Sequence, residues 1–163
     1  MNKTVKGGDL MIFVGEGAEK KSIAVATSHA LSLSMETKDT SSKDNAGGWA
    51  TSEAGTLSWT MKSENICSTG GAGLTYDDLV DLMIAREPVE VVMGRKKEEA
   101  TDVPDNGWTP GTEGRKGKAF ITNIEQNAPN GDNATFTVDF TGTGSLEKVN
   151  APAANKVNAP AAE

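Results

Sequence analysis

GKAFITNIEQNAPNGDNATFTVDFTGTGSL, Gly117 to Leu146, is the stretch that decides the fold. Two runs with alternating apolar residues flank Asn130-Gly131, the strongest short-range signal for a β-hairpin. On the second arm Phe136, Val138 and Phe140 fall on one side and Thr135, Thr137, Asp139 and Thr141 on the other, because side chains alternate across a strand with a period of two. One face suits a core; the other, hydroxylated and acidic, suits water. Such a surface can line a solvent-filled space with no catalytic apparatus.

The pattern recurs on either side of this hairpin. Asp9 to Val14 reads as a first strand, followed by a Gly-Glu-Gly turn and a second apolar run from Ser22 to Ala26. In His29 to Lys38, Leu31, Leu33 and Met35 oppose Ser32, Ser34 and Glu36; in Gly55 to Glu64, Leu57, Trp59 and Met61 oppose Ser58, Thr60 and Lys62. Each is expected to be a strand with one core face. DTSSKDNAGG, Asp39 to Gly48, has turn formers and nothing to bury, which predicts a long exposed loop with Trp49 at its base. The spacing predicts one helix over Tyr76 to Arg86, with Thr75 as N-cap, Asp77, Asp78 and Asp81 near its positive end, and Pro88 as the stop. Leu79, Val80, Met83 and Ile84 form the stripe expected to pack on a sheet. Val89 to Lys97 is a further strand that turns basic at Arg95, Lys96 and Lys97. EEATDVPDNGWTPGTEGRKG, 98 to 117, reads as a long functional loop carrying Trp108. VNAPAA occurs twice after Lys148, which marks a low-complexity, extended tail. The organisation is thus an N-terminal arm and first strand over 1–19, a β domain over 20–148 and an Ala/Pro-rich tail over 149–163.

At 163 residues with 36% hydrophobic and 24% charged side chains, the chain can build one core. Aromatics at 5% and abundant Gly, Ser and Thr suit a mainly β, surface-rich protein. A net charge of −7 argues against a sequence-independent grip on nucleic acid, which takes clustered Lys and Arg to displace counterions. No run approaches the roughly 18–20 apolar residues of a membrane-spanning helix. The apolar segment Leu10 to Val14 is shorter than the about 7–15 residues of a secretory core, so folding in the cytoplasm and no membrane anchoring are expected. Cys67 is the sole cysteine, which rules out an intrachain disulfide.

The inventory for chemistry is thin. His29 is the sole histidine, at the start of an alternating strand, and no serine lies in a G-x-S-x-G context that would support a triad. Nothing around NICSTGG marks Cys67 as an activated nucleophile. The GGAG run at Gly70 to Gly73 precedes a helix but lacks the Gly-Lys-Ser/Thr ending of a phosphate loop, and three aspartates follow it. No EF-hand pattern occurs, and hairpin geometry explains the Asn130 to Asn133 loop. Asn133-Ala134-Thr135 is a sequon without a secretory signal to use it. No catalytic residue, metal or cofactor is expected. Trp59 alternates with core residues, whereas Trp49 and Trp108 border long loops and are either loop anchors or interface residues or, as the lesser alternative, a glycan-stacking platform on a monomeric β-sandwich.

KSIAVATSHALSLSMETKDTSSKD from Lys21, LSWTMKSENI from Leu57, TYDDLVDLMIAREPVEVVMG from Thr75 and NAPNGDNATFTVDFTGTGSL from Asn127 together resemble, in order and spacing, the major tail tube proteins of long non-contractile-tailed bacteriophages. The resemblance spans about Lys20 to Val149. It implies a β-sandwich-like or barrel-like tail tube fold with one flanking helix and long loops, assembled as six-fold rings stacked into the virion tail. Expected partners are further copies of the chain and the tail terminator, tape measure and distal tail proteins, with DNA passing through the lumen unbound. Glu36, Glu125 and Asp139, on the polar faces of their strands, become lumen candidates. Asp39, Lys43, Asp44, Trp49 and Trp108 become candidates for contacts between subunits or rings. The inner tube of a contractile injection machine has the same architecture and is the nearest alternative.

Overall fold

The computed structural model describes residues 2–44, 46–97, 102–105 and 107–149. Among these residues seven strands and one α-helix follow in chain order: β1 (Leu10–Val14), β2 (Lys21–Ser22), β3 (Ala26–Asp39), β4 (Ser52–Ile66), α1 (Tyr76–Ala85), β5 (Val89–Lys96), β6 (Pro110–Asn127) and β7 (Thr135–Lys148). All strands join one antiparallel sheet in the order β2-β1-β5-β6-β7-β4-β3. The sheet curls, bringing β1 against β3, and α1 lies over β6. This is the expected mainly β architecture with a single flanking helix.

The core lies inside the curl. Phe136, Val138 and Phe140 of β7 are buried with Met61 and Trp59 of β4, Ala119 and Ile121 of β6, Val91 of β5, Ile12 and Val14 of β1, and Leu79 of α1. The face read from the opening stretch is therefore the core face. Its hairpin, however, is not a two-residue turn. Asn127 pairs with Thr135, so residues 128–134 form the connection, with Asn130-Gly131 inside it and Gly131 at φ 87°. Pro129 has no N–H to offer the ladder, and the Ala134 carbonyl accepts the Cys67 N–H at 2.8 Å, which ties that end of β7 to β4 instead.

Other boundaries move for equally local reasons. The second apolar run gives only the short strand β2. Ile23 then makes an isolated parallel bridge to Leu74, and Val25 takes a left-handed φ of 49°, a strained conformation for a β-branched residue, before β3 begins. The loop expected over 98 to 117 ends early: β6 starts at Pro110, its Pro at the first strand position where the missing N–H costs nothing. The strand expected to end at Lys38 runs to Asp39, and the Thr40 N–H still bonds the Thr51 carbonyl. The expected loop is therefore the tip of a long hairpin. The VNAPAA repeats lie outside the described residues.

Helix α1 ends one residue before the expected end, with Arg86 in the left-handed cap at φ 58°. Its buried line is also rotated from the expected stripe. Tyr76, Leu79 and Leu82 pack on the core, Tyr76 edge-on to Phe136 at 5.7 Å between ring centroids, whereas Ile84 is 69% exposed. The Asp78 carboxylate accepts the Thr75 N–H and hydroxyl, both at 2.9 Å, closing the first turn. These two bonds, chiefly, hold its carboxyl below the usual carboxylate range.

Candidate functional site

β4 pairs with β7 only from Thr60 to Ile66, while its pairing with β3 continues down to Asp39 opposite Ser52. The sheet therefore forks at the level of Thr60, and the rest of β3 and β4 leaves it as a two-stranded arm. Leu33, Met35 and Leu57 continue the core face of their strands into this arm, where no layer among the described residues covers them, and they are 61%, 53% and 64% exposed. The alternation alone assigned them to the core. They stay uncovered because β7 no longer runs beside them.

Trp59 holds the fork. Its indole is buried against β6 and β7, and its Nε1–H donates to the Gly144 carbonyl at 3.1 Å. Gly142 and Gly117 are the floor of its slot: a Cβ on Gly142 would overlap the indole, and one on Gly117 would come within 2.5 Å of it. Glycine inside a strand marks close approach of this kind, a signal present in the sequence but without a partner to assign to it.

The opposite face of the sheet is polar and hydrogen-bonded. The Asn123 side-chain amide donates to the Asp139 carboxylate at 3.1 Å, and the Thr122 and Thr141 hydroxyls meet at 3.0 Å. The register sets Lys62 opposite Asp139 and Glu64 opposite Thr137, with Glu125 on the far side of Thr137. Lys62 also lies 3.8 Å from Glu64. Asp139 and Glu125 thus share the central sheet surface, and Glu36 shares their face but sits out on the arm. Lys62 and Asn123 beside Asp139 make this surface less bare in negative charge than its acids alone suggest.

The second group of candidates is divided by the fold. Asp39, Lys43, Asp44 and Trp49 gather at or near the arm tip, where Trp49 is 82% exposed and the Asp39 carboxylate accepts the Ser41 N–H at 2.7 Å. Bonds to Ser41 hold the Asp39 carboxyl below its ordinary pKa. Trp108 instead belongs to the β5–β6 connection, where Lys96 Nζ lies 4.0 Å from its ring centroid, a cation–π contact. The two tryptophans therefore sit on different connections. His29, inside the β3–β4 pairing, has neither ring nitrogen hydrogen-bonded, and burial lowers its pKa to about 4. Cys67 is a half-buried free thiol, and the Gln126 amide lies 3.5 Å from its sulfur. Among the described residues no group of three His, Cys, Asp or Glu side chains could hold a metal. Among those residues, too, no helix is long and apolar enough to cross a membrane.

The family model for "Phage tail tube protein" matches residues 4–148. Comparison with curated proteins gave no match. Among solved structures, the chain resembles the tail of an empty gene transfer agent particle refined with C6 symmetry, at 20% identity and a TM-score of 0.69 over 89% of this chain and 98% of that one. It also resembles the tail tube of SPP1, at 11% identity and a TM-score of 0.64 over 89% and 78%. A chain of the anti-feeding prophage baseplate is similar at 12% identity and a TM-score of 0.61 over 93% and 100%. At these identities the structural likenesses establish the shared fold.

Proposed function

The chain belongs to the phage tail tube protein family, a structural component of the virion tail, and from that premise we propose that it polymerises as stacked six-fold rings into a conduit for DNA ejection. The observation that carries this reading is β3. It is a 14-residue edge strand with no strand pairing on its outer side among the described residues, and its arm exposes Leu33 and Met35 beside Leu57. An edge that long and that apolar is an aggregation hazard in a free subunit, and closure into a ring removes it by pairing it with the next copy. A heterologous contact that closes sets the width, and stacking sets the length. The C6 symmetry of the gene transfer agent tail supports the six-fold order.

Glu36, Glu125 and Asp139 then face the lumen. A hydroxylated, mildly acidic wall does not hold passing phosphates, and each bound phosphate would brake ejection. Asp39, Lys43, Asp44 and Trp49 at the arm tip make contacts to the adjoining ring, and Trp108 lies at a subunit boundary. The tail terminator, tape measure and distal tail proteins are the partners at the ends and inside. The anti-feeding prophage similarity keeps the inner tube of a contractile injection machine as the second reading.

Negative-stain electron microscopy of the concentrated protein tests the assembly: rings or tubes are expected, and persistent monomers with glycan or metal affinity overturn it. Tails assembled from Glu36→Lys, Glu125→Lys and Asp139→Lys variants are expected to eject DNA more slowly. Wild-type ejection from intact variant tails removes these residues from the lumen.

A further inference from the structure

Charge sorts by end of the sheet. β5 runs from Glu90 to Arg95 and Lys96, β6 runs the opposite way from Arg115 and Lys116 toward Glu125, and antiparallel pairing brings the basic ends together. At that end Arg115 stands directly opposite Lys148 across the β6–β7 ladder. Both are exposed, and like charges in this position destabilise a sheet. The nearest acid in their groove, Glu113, faces Arg95 at 3.4 Å. Neither Arg115 nor Lys148 has an acidic partner among the described residues. The groove they line, with Thr112, Gly114 and Val149, encloses about 360 Å³.

Helix α1 begins at the other end and lies over that half of the sheet. Tyr76 packs on Phe136 at the start of β7, and Leu82 and Ala85 line a cavity with Val89 at the start of β5. On its outer side Asp77 and Asp81 are exposed one turn apart, a like-charge spacing that offsets part of what the helix N-terminus gives Asp77, and neither has a basic side chain paired with it among the described residues. From Phe136 to Lys148, β7 spans about 40 Å at ~3.3 Å per residue. The subunit thus carries two like-charge pairs, opposite in sign and without ion-pair partners among the described residues, the basic one at one end of the β6–β7 ladder and the acidic one on the helix that starts at the other.

We infer that the Arg115/Lys148 groove receives the Asp77/Asp81 side of α1 from a second copy of this chain in the next ring, which fixes the polarity of the stack. This rests on the tube reading above. A head-to-tail stack brings the opposite ends of successive subunits together, so each like-charge pair gains its counter-charge on assembly.

A charge-swap series on the full chain, read by sedimentation and negative-stain microscopy, tests this. Arg115→Glu/Lys148→Glu and Asp77→Lys/Asp81→Lys are each expected to raise the concentration needed for tubes about tenfold or more while leaving rings, and the four changes combined restore tubes. The neutral Arg115→Gln/Lys148→Gln variant, less demanding on folding, is expected to weaken stacking and reduce its salt sensitivity. Tubes from either charge-reversed double variant at the wild-type concentration, or a folded quadruple variant that does not recover, overturn the inference. So does DNA binding by wild-type rings that Arg115→Glu/Lys148→Glu abolishes without changing stacking. Failure of the wild-type chain to form rings or tubes at all overturns the tube reading instead.

Discussion

Replacing Gly142 with alanine puts a methyl group where the Trp59 indole lies. The backbone there has no left-handed φ, so alanine meets no conformational penalty and the whole effect is steric. Overpacking of a filled core costs about 1–3 kcal/mol, and displacing the indole endangers its Nε1–H bond to Gly144, worth about 1 kcal/mol. The expected loss is about 2–4 kcal/mol, or about 5–15 °C in Tm for a domain of this size. Trp59→Leu alone costs about 2–4 kcal/mol through lost burial. It also empties the slot, so the double variant should be more stable than the sum of the single losses by about 2 kcal/mol. Urea unfolding of unassembled protein measures all four corners of the cycle. A Gly142→Ala variant within about 0.5 kcal/mol of wild type, or strict additivity with Trp59→Leu, refutes the slot as the anchor of the arm.

Leu33→Ser and Leu57→Ser should change the urea-unfolding free energy of the unassembled subunit little, within about 0.5 kcal/mol, because both side chains are exposed, yet cut the yield of tubes in a pelleting assay. His29 has a folded pKa below its ordinary 6.5, so folding favours the neutral ring. Its contribution is complete above pH ~6.5 and is lost as pH falls toward 4, and the unfolding midpoint should decline over that window less steeply in His29→Leu than in wild type. Asp78→Ala removes the carboxylate that accepts from Thr75 and should cost about 1 kcal/mol in thermal melts at pH 7. Because those bonds hold the Asp78 carboxyl low, the difference between variant and wild type should shrink as pH falls through its folded pKa.

Period-two and helical spacing set out most of the secondary structure. The core face of β7, the strands around Leu31 and Trp59, the helix and its acidic first turn all follow from interactions within a few residues. Boundaries moved where a distant partner intervened: Cys67 takes the Ala134 carbonyl, Leu74 takes Ile23, and β6 begins at Pro110 along β5. The lumen candidates rest on the same alternation, the contact candidates on the loops that interrupt it, and both on the family resemblance. The fold places Glu125 and Asp139 on one surface, Glu36 on the arm, and Trp49 and Trp108 on different connections.

Alternation says which side chains share a face of a strand, and the sequence alone determined that much, together with the poverty of catalytic groups. It cannot say whether anything lies over that face. Leu33 and Met35 belong to the same stripe as Leu31, which packs on the core, and only the fork between β4 and β7 leaves the first two bare. Arg115 and Lys148 are likewise far apart in the chain, and their opposition exists only through the β6–β7 register. Covering layers and cross-strand neighbours arise from contacts between remote segments, so the tertiary structure decided which apolar and charged groups this subunit leaves unpaired.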